Sequence, residues 1–146
     1  MRFDAHYLPT YMPELDGPIT EFYQRIFEQI GELERLGFDR VWVTEHHFGD
    51  YGGSIPHPPT FLSAVARTTC RLRLGVAVSV LPLHNPLEVA ESYAMADIIS
   101  NGRLDFVNVN DVGGYITAQV GIEQQDRTKC KRLRTSNLAD GKRNGT

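Results

Sequence analysis

The chain's 146 residues suffice for one compact domain with a core of its own, and no more. With 41% apolar residues, 23% charged residues and a net charge of −3, it reads as an ordinary globular protein; nothing there suggests binding to nucleic acid or an anionic surface. The opening "MRFDAHYLP" lacks a secretion signal, "LGVAVSVLPL" is about half the ~20 apolar residues that cross a bilayer, and Cys70 and Cys130 form no CxxC pair, so a reduced, cytoplasmic protein is expected.

In chain order, "RFDAHYL" reads as a first strand, stopped by Pro9 and Pro13. Apolar residues at Ile19, Phe22, Tyr23, Ile26, Phe27, Ile30 and Leu33 put one stripe on a helix, with Asp16 and Pro18 at its start and Gly37 at its stop. "DRVWVT" is a second strand, rich in β-branched and aromatic residues. A loop, "GDYGGSIPHPP", leads to a short helix over "TFLSAVARTT". "RLRLGVAVSVL" is a third strand, apolar enough to be covered on both faces. "NPLEVAESYAMADIIS" is the next helix, with Asn85 placed as cap, Pro86 in the first turn and Glu88 able to reach back. "NGRLDFVNV" is a turn and a fourth strand.

Strands alternating with helices argue for parallel pairing and right-handed crossovers. Four such units are too few for a (β/α)8 barrel, which takes ~200 residues or more. The expectation is an α/β half barrel over residues 1–109, truncated relative to a TIM-type barrel, followed by an irregular, largely unstructured tail over 110–146. From Arg127 onward the tail carries a net +6 against −9 for the rest. With no aromatic residue interleaved for stacking, it reads as a solvated terminus rather than a nucleic-acid arm.

Ligands of α/β folds bind at the carboxyl ends of the strands. Three polar clusters fall there: Glu45-His46-His47, Ser79 to Asn85, and Asn108 with Asn110 and Asp111. As metal ligands, His46 and His47 are poorly placed, because neighbours in extended chain point to opposite faces. His57 or Asp50 could complete a metal set with one of them, which leaves a metal-dependent barrel hydrolase open. As an acid/base site, one imidazole faces the pocket and the other packs behind it, with Glu45 free to orient a ring. His84 reads as a loop-capping residue and Cys70 as a small residue closing a helix. Neither GxGxxG nor GxxxxGK[ST] occurs, which argues against a Rossmann or P-loop nucleotide site.

"GFDRVWVTEHHF" followed by "RLRLGVAVSVLPLHNPLEVAESYAMADIISNGRLDF" resembles the flavin-dependent luciferase-like monooxygenases, the group that contains bacterial luciferase and the alkanal monooxygenases. The resemblance runs from Met1 to Phe106 and rests on "EHHF", "RLRLG", "LPLHNPLEVAE" and "NGRLDF" in that order. It implies a TIM-type barrel, usually a homodimer, that uses reduced flavin mononucleotide (FMN) from a separate flavin reductase. With molecular oxygen, such an enzyme oxidises a small organic substrate. Some relatives use the deazaflavin F420 instead.

On this resemblance His46 is the pocket acid/base, and His47 is its packing neighbour and a second catalytic candidate. Ala77 and Val78 fall at a non-prolyl cis peptide lying against the flavin ring, with Ser79 following. After "GRLDF" the family usually supplies an arginine for the flavin phosphate; here the chain reads "VNVNDVGGY", and Asn110 or Gly113 stands in its place. That position lacks a bidentate, charged partner for a phosphate. A flavin-binding but non-catalytic partner subunit of the same fold is the nearest alternative. The clusters as a whole call for no metal, nucleic acid or membrane.

Overall fold

The computed structural model describes residues 1–49 and 51–109, without the side chains of residues 108 and 109. The elements run β1 (Asp4–Tyr7), α1 (Pro13–Asp16), α2 (Ile19–Arg35), β2 (Arg40–Val43), α3 (Pro58–Thr68), β3 (Arg73–Val80), α4 (Pro86–Ser100) and β4 (Leu104–Val109). A 3-10 turn, Leu81–Leu83, separates β3 from α4. Every strand pairs in parallel with the next one in sequence, giving the order β1-β2-β3-β4. A doubly wound sheet reverses its order part-way; this one does not. Sequential order with right-handed crossovers places the helices on one face and curls the sheet one way, which is the geometry of a barrel wall. The readings of residues 110–146, and of Asn110, lie outside the described residues.

The stripe on α2 buries Phe22, Ile26 and Ile30 against the sheet. Each side chain so buried contributes roughly 1.5–3 kcal/mol. They join Val41, Val43, Leu74 and Val76 from the strands and Leu62 and Val65 from α3 in one core. Gly37, at φ 89°, ends the helix run as expected. Asp16 does not cap α2, whose cap position is Pro18. Its carboxylate instead accepts from the Met12 N–H and pairs with Arg25, closing the short helix α1.

Asn85 caps α4 by accepting from the Leu87 N–H at 2.9 Å. Glu88 makes no bond back to that cap; it lines a small cavity beside His84. The helix is apolar nearly all round, and Leu87, Met95 and Ile98 are exposed on it. No helix among the described residues is long and apolar enough to cross a membrane.

On the sheet face away from the core, Trp42 lies over Gly75, its register partner on β3. A Cβ at Gly75 would overlap the indole ring. Gly75→Ala is therefore expected to cost about 1–3 kcal/mol, the range for forcing extra atoms into filled space. A shifted urea midpoint with unchanged slope would register it.

The amino ends of the strands hold charges that satisfy one another. Arg40 pairs with Asp4 at 3.2 Å and with Asp105 at 2.7 Å, and Arg73 pairs with Asp105 at 2.6 Å. That end of the sheet reads as structural. The carboxyl ends are different.

Candidate functional site

Glu45 lies just past β2 and is only 2% exposed. A buried carboxylate needs partners, and this one has four. Oε1 accepts from His47 Nε2 at 2.8 Å and from His84 Nε2 at 2.6 Å. Oε2 accepts from the Ser79 hydroxyl at 2.9 Å and from the Val80 N–H at 3.0 Å. Burial alone would raise the carboxyl's pKa, but the bonds from His84, His47 and Val80 outweigh it and hold it down to about 2. In return, the bond to Glu45 raises the pKa of His84 against its own burial, with the Glu45 and Glu88 charges adding to the rise.

Glu45 and His47 are two residues apart, so extended chain puts both on one side. Continued past the end of β2 at Val43, the same alternation assigns His46 to the other side, with Trp42 and Thr44. Among the described residues the His46 side chain makes no hydrogen bond; its backbone N–H donates to the Ile55 carbonyl at 3.4 Å. On that open side Thr44 donates its hydroxyl to the Ala77 carbonyl at 2.9 Å and meets His6 Nε2 at 2.6 Å. The Ala77–Val78 peptide is cis, and the β3–β4 register shifts between Ala77 and Ser79.

The structure thus brings together two of the three polar clusters. The first supplies Glu45 and His47, and the second supplies Ser79, Val80 and His84. Of the third, only the backbone pairing of Asn108 with Ser79 is described.

His84 does cap the 3-10 turn, its backbone N–H donating to the Leu81 carbonyl at 3.1 Å, but its ring has a second task. The 3-10 turn after β3 folds its ring back over the strand ends onto Glu45. Ser79 is fully buried with its hydroxyl given to Glu45, so its side chain is not free to meet a ligand. Ala77 and Val78 remain partly exposed on an otherwise buried strand. His6, Thr44 and Tyr93 also border the site and carry no motif of their own. Only their alternation with core positions could have signalled His6 and Thr44.

Residues 5–132 match the sequence model of a family described as luciferase-like monooxygenase. The chain belongs to that family. Limonene 1,2-monooxygenase of Rhodococcus erythropolis is 39% identical over 104 residues, covering 71% of this chain and 26% of that protein. The oxygenase component of a flavin-dependent trigonelline monooxygenase from Acinetobacter baylyi is 35% identical over 85 residues, covering 58% and 23%. The crystal structure of monooxygenase RslO1 from Streptomyces bottropensis superposes with a TM-score of 0.78 at 32% identity, covering 84% of this chain and 37% of that one. This luciferase-like chain thus spans about a quarter of the length of the curated relatives it matches.

Proposed function

We propose that this chain forms one wall of a flavin monooxygenase pocket, in which reduced FMN and molecular oxygen oxidise a small organic substrate. The observation that carries the reading is the open side of the strand ends. There Thr44 bonds the Ala77 carbonyl, Ala77 and Val78 are partly exposed, and alternation along the chain would put His46 on the same side. The residues present fit a flat ring: Ala77 carries only a methyl group and is partly exposed, leaving a ledge that a planar group can approach beside the Trp42 indole, which covers Gly75.

When bound, reduced flavin supplies the electrons that activate oxygen. The chain's own part is to bind the ring on the Ala77–Val78 backbone, with the Ser79 backbone following, and to hold or move a proton at the His46 imidazole. His47, given over to Glu45, serves as the packing residue behind the wall rather than as the proton carrier.

A separate flavin reductase is the proposed source of reduced cofactor, and a second copy of the chain the proposed oligomeric partner. The Acinetobacter baylyi relative is the oxygenase component of a flavin-dependent monooxygenase, which supports the first. F420 is the competing cofactor.

Anaerobic titration of the 146-residue chain with reduced FMN and with F420, read by fluorescence, tests the reading. Saturable binding of reduced FMN is expected. Ala77→Phe should weaken it more than tenfold by filling the ledge, while His46→Ala leaves it within about threefold. The four strands of the described residues wall one side of a pocket, so oxygen-dependent turnover by this chain alone should be poor, and what there is should fall roughly 100-fold or more in His46→Ala. Binding without any oxygen consumption would favour the non-catalytic partner subunit. Hydrolysis that needs metal and no flavin would sink the reading.

A further inference from the structure

Behind this wall, on the side away from His46, the geometry points to a metal site: Glu45, His47 and His84 are set to take a divalent ion of zinc's class. Each offers one ligand atom, and the three atoms lie within 4.8 Å of one another. Two imidazoles and a carboxylate make a nitrogen–oxygen donor set suited to zinc and its neighbours. Three protein ligands with a fourth position left over is also the pattern of an open zinc site.

The surroundings favour an ion over a bare hydrogen-bond knot. Glu45 Oε2 is fixed by the Ser79 hydroxyl and the Val80 N–H, so Oε1 is held in place by outer partners, as ligating carboxylates are. Against the cluster sits a cavity of about 10 Å³, lined by Glu45, His57, His84, Glu88 and Tyr93 among others. That is room for about one water molecule. Among the described residues the buried Tyr93 hydroxyl, near the Ser79 hydroxyl that is given to Glu45, makes no hydrogen bond, although buried polar atoms are nearly always satisfied. A metal-bound water in that cavity would supply the missing partner. The His57 ring stands edge-on to His84, 6.5 Å between ring centres, close to the cluster but outside the ligand set.

The change needed is small. Oε1 now lies 2.6 and 2.8 Å from the two Nε2 atoms. Ligand atoms around a tetrahedral zinc ion lie about 3.3 Å apart. The side chains must open by about half an ångström, and each imidazole must carry its proton on Nδ1. An ion there would tie the loop after β2 to the turn after β3. This site is independent of flavin binding, so either reading can fail without the other.

Co²⁺ titration of the full 146-residue chain, after chelator treatment, tests it through the visible bands of tetrahedral cobalt. One equivalent should bind and be displaced by Zn²⁺. His47→Ala and His84→Ala should each weaken binding by more than the roughly 10–100-fold that loss of an outer partner costs. His46→Ala should leave it unchanged. X-ray absorption on the zinc-loaded wild-type chain needs no variant and should find two imidazoles and no sulfur. No uptake, wild-type affinity in either the His47 or the His84 variant, or sulfur in the coordination shell would overturn the proposal.

Discussion

Glu45→Ala is expected to cost about 3–5 kcal/mol of folding stability in the metal-free chain, measured by urea unfolding with chelator present. The alanine leaves the Val80 N–H and the Ser79 hydroxyl buried without an acceptor, and it releases both imidazoles. Glu45→Gln is the informative contrast. Its carbonyl can keep Ser79 and Val80, and its amide can donate to both Nε2 atoms once the histidines switch tautomer. Glutamine should therefore cost clearly less than alanine. Equal losses would mean that the negative charge, rather than the four hydrogen bonds, is what the site uses.

The same residue sets an acid limit. Its pKa is 4.5 ordinarily and about 2 in the folded chain, so the carboxylate's contribution is complete above 4.5 and disappears as pH falls toward 2. The gap corresponds to about 3 kcal/mol. For His84 the sign is opposite. Its pKa is raised, so its contribution is complete below the ordinary value of 6.5 and is lost as pH rises through the raised one. The Glu45–His84 pair is thus strongest on the acid side of neutrality. In Glu45→Gln the acid slope should vanish from the stability–pH curve, and the His84 slope should change to what burial and the Glu88 charge leave.

What could be read from residue order divides along the range of the interactions. Helix α2 announces itself by a stripe that repeats within a few residues, α4 by the Asn85 and Pro86 signals at its start, and strands β2 and β3 by β-branched or continuous apolar runs, all of them local in the chain. The four-residue α1 and the three-residue 3-10 turn are too short to show a period. Glu45 could be foreseen as a residue that orients an imidazole, because His47 is two positions away. That its other imidazole would be His84 could not be foreseen, since 39 residues separate the two and only the turn after β3 joins them. Glu34 makes the same point. From the last turn of α2 its carboxylate accepts from the backbone N–H groups of Cys70, Arg71 and Leu72, fixing the approach to β3. In the sequence it is one more acid on a solvated helix face.

Arg103 is the other residue whose loss should be severe, although "NGRLDF" first reads as a turn and a strand start. Asn101 and Gly102 take φ values of 59° and 75° and end α4, which delivers the Arg103 guanidinium beneath three chain ends. Nε donates to the Ser100 carbonyl at 2.7 Å. One terminal nitrogen reaches the Leu72 carbonyl at 2.9 Å and the Thr69 hydroxyl at 3.0 Å. The other reaches the carbonyls of Ala66 and Thr69 at 2.9 and 3.1 Å. Carbonyls at the end of a helix have no partner in the helix itself, so one planar cation closes the ends of α3 and α4 and the start of β3.

Arg103→Ala should cost about 3 kcal/mol or more, a large share of the roughly 5–15 kcal/mol that holds a domain folded. Arg103→Lys keeps the charge near the helix ends but cannot fork to several carbonyls, so it should recover less than half of that loss. If lysine restored full stability, the charge alone would suffice and the five-bond geometry would be incidental.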